Sequence, residues 1–285
     1  MIETPCQRWR VHRDSYRPAA EPIDPSRYGV ELIAGDDTAR DFVELHHYSG
    51  SYPAARLRAG LYRVRPGGGT ELVGVAVFSV PPSEAVIPKW TRQGPRAGVE
   101  LGRLVLLDEV EGNGETWFLA RALRLLAAEL PEVSAVLSFS DPVSRRTLDG
   151  QVVTPGHVGT IYQALNGRHV GRSEARWRYL AGDGRDVTKP LLDKIRYDKK
   201  GRDYAAAQLV AWGAPARAPG ELGGAYVDRA LRDGPFRRYR HPGNLAYVWP
   251  VGTRRTAPKI AQGFPAALAY PKLEARVHSP AGSMA

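Results

Sequence analysis

The chain has 285 residues, 43% of them apolar and 25% charged, enough to bury a sizeable core. Lys and Arg outnumber Asp and Glu by 40 to 30, a net charge of +10 that favours a polyanionic partner over a cationic one. A single cysteine, Cys6, excludes an internal disulfide framework and a thiolate zinc cluster, no apolar run reaches the ~18–20 residues of a membrane span, and residues 1–10 lack the apolar centre of a signal peptide, so the expected compartment is the cytoplasm.

Residues 1–27 carry prolines and scattered charge without periodicity and read as an extended N-terminal arm. Residues 28–33 alternate as a first strand, and Asp36 and Asp37 are placed to cap a helix over 38–46. The polar-aromatic loop His46-His47-Tyr48-Ser49 precedes a strand over 57–64. The turn Pro66-Gly67-Gly68-Gly69-Thr70 folds that strand onto a second arm over 71–80. Residues 83–97 read as a polar loop with an isolated Trp90. The strongest strand signal lies over 99–108, followed by an amphipathic helix over 115–129 and another strand over 133–139. A loop of about fifteen residues then leads to a short helix over 157–165, and such a length inside a compact domain points to function.

From 168 to 202, eleven Lys or Arg stand against five Asp or Glu. Trp177, Tyr179, Tyr197 and Tyr204 are interleaved, as on a surface that tracks phosphates. Residues 204–212 read as a helix, and 220–234 give no decisive pattern. Strands over 236–239 and 245–251 flank the turn His241-Pro242-Gly243-Asn244, and the proline-rich stretch 252–285 reads as a flexible tail.

Strands that meet as hairpins around helices indicate an α+β fold with a mixed, mostly antiparallel sheet. The order over 100–166 (strand, glycine-containing turn, helix, strand, polar loop, short helix) suits a site between two splayed strands, with a phosphate-bearing ligand over the helix start. In Gly112-Asn113-Gly114-Glu115-Thr116, freed amides and the positive helix end suit a pyrophosphate; a plain tight turn is the alternative. Tyr162 is either a phenol able to protonate a thiolate or a buried aromatic beside Ile161 and Leu165. Ser138 and Ser140 share a strand face, and Asp141 either orients an amine or starts a turn with Pro142. Glu100 and Arg103, three apart on one strand, are expected on opposite faces. Adjacent His46 and His47 need a bent loop and a third ligand from His157, Asp141 or His241 to hold iron, so no metal is assigned and a substrate-lining loop is expected.

Read in order, His46-His47-Tyr48-Ser49, Glu100-Leu101-Gly102-Arg103-Leu104, Ser138-Phe139-Ser140-Asp141, residues 156–164, Lys194-Ile195-Arg196 and His241-Pro242-Gly243-Asn244 cover residues 29–250. Together they resemble the GNAT acetyltransferase superfamily and, within it, the phage Mom-type branch, whose founding member modifies adenine in DNA. The resemblance implies a GNAT-like catalytic domain over 28–251, with a splayed strand pair, flanking helices and a basic elaboration over about 168–251. It implies an anti-restriction acyltransferase acting on the N6 amine of adenine, in a single strand or a flipped base, with acetyl-CoA or another acyl-CoA-like donor, in the host cytoplasm. Mom-type modification adds a carbamoylmethyl unit, so the donor stays open.

Tyr162 stands where the superfamily keeps the tyrosine that protonates the departing thiolate, and Asp141, Ser140, Glu100 and His47 are expected beside it. Leu106, Leu107, Gly112, Asn113, Gly114, Glu115 and Thr116 are expected to hold the donor. Tyr48, Ser49, Arg103, His157, Lys194, Arg196, Lys199 and Lys200 are expected to meet DNA, with Trp90, Tyr48 or Tyr52 stacking on the displaced base. One departure stands out: superfamily members usually place Arg or Gln before these glycines, whereas Asp108, Glu109, Glu111 and Glu115 crowd the turn here. An ordinary N-acetyltransferase for a small amine or a protein lysine, and a non-catalytic nucleic-acid-binding scaffold, are the competing readings.

Overall fold

The structure is a computed structural model, and it describes residues 21–272 together with the backbone of 5–10 and 13–18. Where an extended arm is expected, β1 (Pro5–Arg10) and β2 (Arg13–Pro18) pair as an antiparallel hairpin. There follow β3 (Tyr28–Leu32), α1 (Asp36–His46), β4 (Ala55–Val64), β5 (Thr70–Ser79), α2 (Val86–Thr91) and β6 (Gly98–Leu106). Next come α3 (Gly114–Glu129), β7 (Ala135–Ser140), the short pair β8 (Arg145–Arg146) and β9 (Val152–Thr154), α4 (Thr160–Ala164) and β10 (Arg168–Arg172). The last elements are β11 (Arg176–Leu180), β12 (Asp186–Val187), α5 (Lys189–Arg196), α6 (Arg202–Ala211), α7 (Gly223–Asp233), β13 (Arg237–His241), β14 (Leu245–Pro250) and α8 (Ala257–Gln262).

Seven strands form the main sheet in the order β10-β14-β7-β6-β5-β4-β3. Every neighbouring pair is antiparallel except β6 and β7. Strand side chains alternate between faces, and both faces are covered. On one, Phe118, Leu119, Ala122 and Leu126 of α3 pack on Leu57, Ala59, Leu61 and Leu101. Each fully buried Phe or Leu there contributes about 1.5–3 kcal/mol. On the other, Ala39 and Val43 of α1 cover Val75, Val77 and Val105, and Ile87, Trp90 and Phe264 cover Leu137, Ala246 and Val248. No described helix is long and apolar enough to cross a membrane.

Between β10 and β14 the chain leaves the sheet and builds a second core. The three-stranded sheet β12-β11-β13 and helices α5, α6 and α7 enclose Ile195, Leu209, Tyr226, Val227 and Ala230. Two of these helices differ from the sequence reading. The basic stretch at 189–196 is α5, opened by the Thr188 side chain capping Leu191 N–H and by proline in the first turn. The stretch 220–234 holds α7. Trp90 lies in α2, only 9% exposed as a residue and edge-on to Phe139, so it offers no platform to a base. Residues after 252 are packed rather than loose as far as 272: Phe264 is buried, Leu268 N–H donates to the His169 carbonyl, and Gln163 donates to the Pro271 carbonyl. The rest of the expected tail lies outside the described residues.

Candidate active site

β6 and β7 run side by side for only three pairs, Gly98 with Ala135, Val99 with Val136 and Glu100 with Leu137. Beyond them β6 stays with β5 as far as Leu106, and β7 stays with β14 as far as Ser140. A gap therefore opens through the sheet. Ser138 closes its narrow end by donating to the Leu101 carbonyl at 3.1 Å.

Gly102 forms a bulge at that point, because Phe78 pairs with Leu101 and Val77 with Arg103, leaving Gly102 without a partner on β5. A Cβ there would lie 2.6 Å from Ser79 Oγ, so the close approach requires glycine. The extra residue reverses the alternation. Glu100 and Arg103 emerge on the same face, correcting the expectation that they point apart. The Arg103 guanidinium is held by the Ser51 carbonyl and hydroxyl at 2.9 and 2.7 Å, which pins the loop after α1 over the gap. Burial raises the Glu100 carboxyl above the ordinary carboxylate range, and the Arg103 charge only partly opposes it.

His47 ends α1 with extended backbone and stacks on Tyr48 at 4.3 Å between ring centres. The Ser49 backbone N–H donates to His47 Nδ1 at 3.1 Å, so the proton of the neutral ring sits on Nε2. Burial, then the charges of Arg103 and His157, depress this imidazole to about 3, and it stays neutral at ordinary pH. From the opposite face Tyr162 of α4 enters among His157, Tyr247 and Trp249, with ring centres at 6.1, 5.5 and 5.5 Å. Its phenol is pushed up to about 12 by burial, against a hydrogen bond from Ser138, and it feels both Tyr48 and Glu100. The hydroxyl end is thus polar although the ring is walled by aromatics. Gly159, at φ 77°, allows this packing, since a Cβ would lie 2.8 Å from Tyr247 and 2.9 Å from Tyr162.

Asp141, expected as a catalytic group, is tied up in a structural network. Its carboxylate accepts from Val143 N–H at 3.0 Å and His241 Nε2 at 2.9 Å, and it pairs with Arg145. Burial pushes the carboxyl up, but Arg145, Val143 N–H and His241 overcome it and hold it below the ordinary range. Arg145 also meets Asp186, which accepts from Arg178 and Tyr239. This chain of charges seats the inserted module against the end of β7. Ser140 is corrected too: it is fully buried and its hydroxyl has no partner, so it is closed to a substrate.

The mouth of α3 answers the question of charge in the turn. Glu109 pairs with Arg63 at 3.6 Å, Glu111 pairs with Arg27 at 3.1 Å and accepts from Tyr28 at 2.7 Å, and Glu115 is buried, so these three are occupied by the protein. Leu107 N–H donates to Val73 and Gly114 N–H to Glu111, which removes both from the expected donor-binding set. Leu106, one residue back on the strand, turns its peptide groups toward the gap. Thr116 donates its hydroxyl to the Asn113 carbonyl. Gly112 N–H donates to the Glu21 carboxylate at 3.0 Å. An anion already sits on this mouth, so its chemistry fits a phosphate, and Glu21 competes for it. Glu21→Gln is expected to tighten CoA binding about tenfold, the worth of one charge-assisted hydrogen bond. Calorimetric titration of CoA checks this; equal affinities would refute the competition.

A family model described as the Mom protein family matches residues 28–214. The chain belongs to the Mom protein family. The match spans every element of the gap from β3 to α4 and enters the inserted module as far as α6. The main sheet is mostly antiparallel, with one parallel pair, β6 and β7, that parts. Among solved structures, a tandem GNAT protein from the clavulanic acid biosynthesis pathway, without AcCoA, superposes with a TM-score of 0.40 at 10% identity, covering 79% of this chain and 99% of that one. No curated protein matches the chain.

Within this Mom-family frame the gap gathers His47, Tyr48, Glu100, Arg103, His157 and Tyr162, and Ser49 joins through His47. Lys194, Arg196, Lys199 and Lys200 are not among them: they lie exposed on α5 and the turn to α6, with Arg196 paired to Asp228. Tyr52 donates to Asp36 and lies under Arg40, so it is not available to stack on a base. Among the described residues no three His, Cys, Asp or Glu side chains converge on a metal position. Arg145, Asp186 and Glu21 belong to the site's surroundings and escaped the sequence reading, which named His241 without its bond to Asp141; the partners lie up to 100 residues away in the chain.

Proposed function

We propose that this chain is an acyltransferase that acylates an exocyclic amine of a DNA base, the N6 amine of adenine, the base that Mom-type modification targets. One observation carries the reading: a carboxyl made more basic by burial, Glu100, and a protonated phenol, Tyr162, interact across the gap where β6 and β7 part. An acyl thioester held over the α3 mouth supplies an activated acyl carbon and a thiolate leaving group. Leu106, Gly112 and Asn113 are the backbone positions that would hold it. Glu100 takes the proton from the attacking amine nitrogen, and Tyr162 delivers its phenolic proton to the departing sulfur. His47 Nε2–H and Arg103 would be the donors to the acyl oxygen, where negative charge grows as the amine attacks. A paired base must leave its stack to enter, and Tyr48, backed by His47, offers it a ring.

The inserted module supplies the DNA-facing charge. Trp177, 53% exposed on β11, lies under Arg238 at 4.2 Å and Arg240 at 5.8 Å, and Tyr197 and Tyr204 are exposed nearby in the chain. Trp177→Ala is expected to weaken single-stranded DNA binding about tenfold, within the ~1–3 kcal/mol of one base–aromatic stack. Fluorescence anisotropy with a labelled oligonucleotide measures it, and an unchanged affinity would move the interface elsewhere.

The function itself is tested by digesting DNA from cells expressing the chain and weighing its nucleosides; a mass-shifted adenosine is expected. Glu21 on the Gly112 amide favours a second reading, a nucleic-acid-binding scaffold that has lost its donor. Unmodified adenosine, with no CoA binding even in Glu21→Gln, would select that reading.

A further inference from the structure

On the side of α3 that faces β3 runs a groove of about 510 Å³, lined by Tyr28, Val30, Trp117, Arg121, Arg124 and Leu125. It meets, at Pro25 and Trp117, a second hollow of about 410 Å³ that reaches Asn113 and Thr116, the two making a shallow, open furrow beside the helix. Its charge is unbalanced. Arg121 and Arg124, three apart, project from one face of α3. Arg121 lies flat over Trp117 at 3.5 Å and reaches only the Trp117 carbonyl, at 3.4 Å. Among the described residues neither guanidinium has a carboxylate, whereas the nearby Arg27 and Arg63 are paired with Glu111 and Glu71 at 3.1 and 3.0 Å. Trp117 Nε1–H is buried and meets no acceptor. Burial, and after it the Arg124 charge, lower the Arg121 guanidinium from its ordinary value.

We propose that this furrow is a nucleotide-phosphate site, in which Arg121 and Arg124 clamp a phosphate and the Val30, Trp117 and Leu125 floor takes the attached sugar and base. Arg suits this task because its planar fork matches phosphate oxygens. The site lies on the far side of α3 from the gap, so it adds to the reactive groups rather than duplicating them. Two sources carry this chemistry: the nucleotide end of a small donor whose phosphates sit at the helix mouth, and a nucleic-acid strand. Only the choice of source rests on the acyltransferase reading.

The test titrates the full chain with adenosine 3′,5′-bisphosphate and, separately, with a short single-stranded oligonucleotide. Wild type is compared with Arg121→Gln/Arg124→Gln and with Arg124→Gln alone, in case the double variant folds poorly. The bisphosphate is expected to bind wild type and to lose at least tenfold in affinity in the double variant, with a smaller loss in the single one. A loss confined to the oligonucleotide assigns the site to a strand instead. Unchanged affinity of both ligands in the folded variants overturns the site. None of these readouts depends on base modification, so a failed acyltransferase reading would show itself separately in the nucleoside masses.

Discussion

Tyr162→Phe is expected to lower base modification by about 10²–10³-fold while leaving DNA affinity and thermal stability near wild type, because general acid catalysis by one positioned group is worth 10²–10⁴-fold. The substitution removes one oxygen and keeps the ring that packs against His157, Tyr247 and Trp249. Ser138, the hydroxyl's neighbour, still donates to the Leu101 carbonyl, so no buried polar group is orphaned. With its phenol at about 12, Tyr162 remains a proton donor throughout the neutral and mildly alkaline range. Glu100 sets the other limb. It must be ionised to accept a proton, and burial has raised its carboxyl, so the rate falls with acidification at a higher pH than an ordinary carboxylate would give. Rates of adenosine mass shift, measured across pH for wild type, Tyr162→Phe and Glu100→Gln, check both limbs. A Tyr162→Phe enzyme at full rate, or an acidic limb that survives Glu100→Gln, would remove these assignments.

The strands that frame the gap were legible because their Val and Leu runs are those of strands buried on both faces, and α3 because its apolar residues keep a helical period. The mistakes share a cause: each depended on something other than local pattern. Alternation alone puts Glu100 and Arg103 on opposite faces, and only the bulge at Gly102 reunites them, although glycine inside a strand is itself a bulge signal. Ser138 and Ser140 do share a face, yet tertiary burial leaves only Ser138 in contact with the phenol. The Thr188-Lys189-Pro190 start of α5 carried a cap and a first-turn proline that the basic composition obscured. Contacts such as Glu21 with Gly112 and Asp141 with His241 join residues 91 and 100 apart, and no period or motif reports on them.

Asp141→Asn is expected to destabilise the fold by about 3 kcal/mol, the lower end of the range for breaking a mostly buried ion pair. The change is isosteric, so its cost is electrostatic. The new amide can still accept from His241, but its nitrogen then faces the Arg145 guanidinium, donor against donor, and only Asp186 remains to balance that charge. His241 limits the escape. Gly243 N–H donates to its Nδ1, which fixes the proton on Nε2 pointing at residue 141. The pH dependence has a definite sign. The folded pKa of Asp141 lies below its unfolded value, so its stabilisation is present above the unfolded value and is lost as pH falls through the lowered one. Wild type should therefore lose stability in strong acid, over a range where Asp141→Asn changes less. Urea unfolding followed across acidic pH measures both effects. Since Asp141, Arg145 and Asp186 tie β7 to the inserted module, the same variant should loosen that module, seen as faster amide exchange in β11 and β13 than in β4 and β5. Equal stability of the two proteins across that range would mean that these charges stand beside one another without holding the module to the catalytic gap.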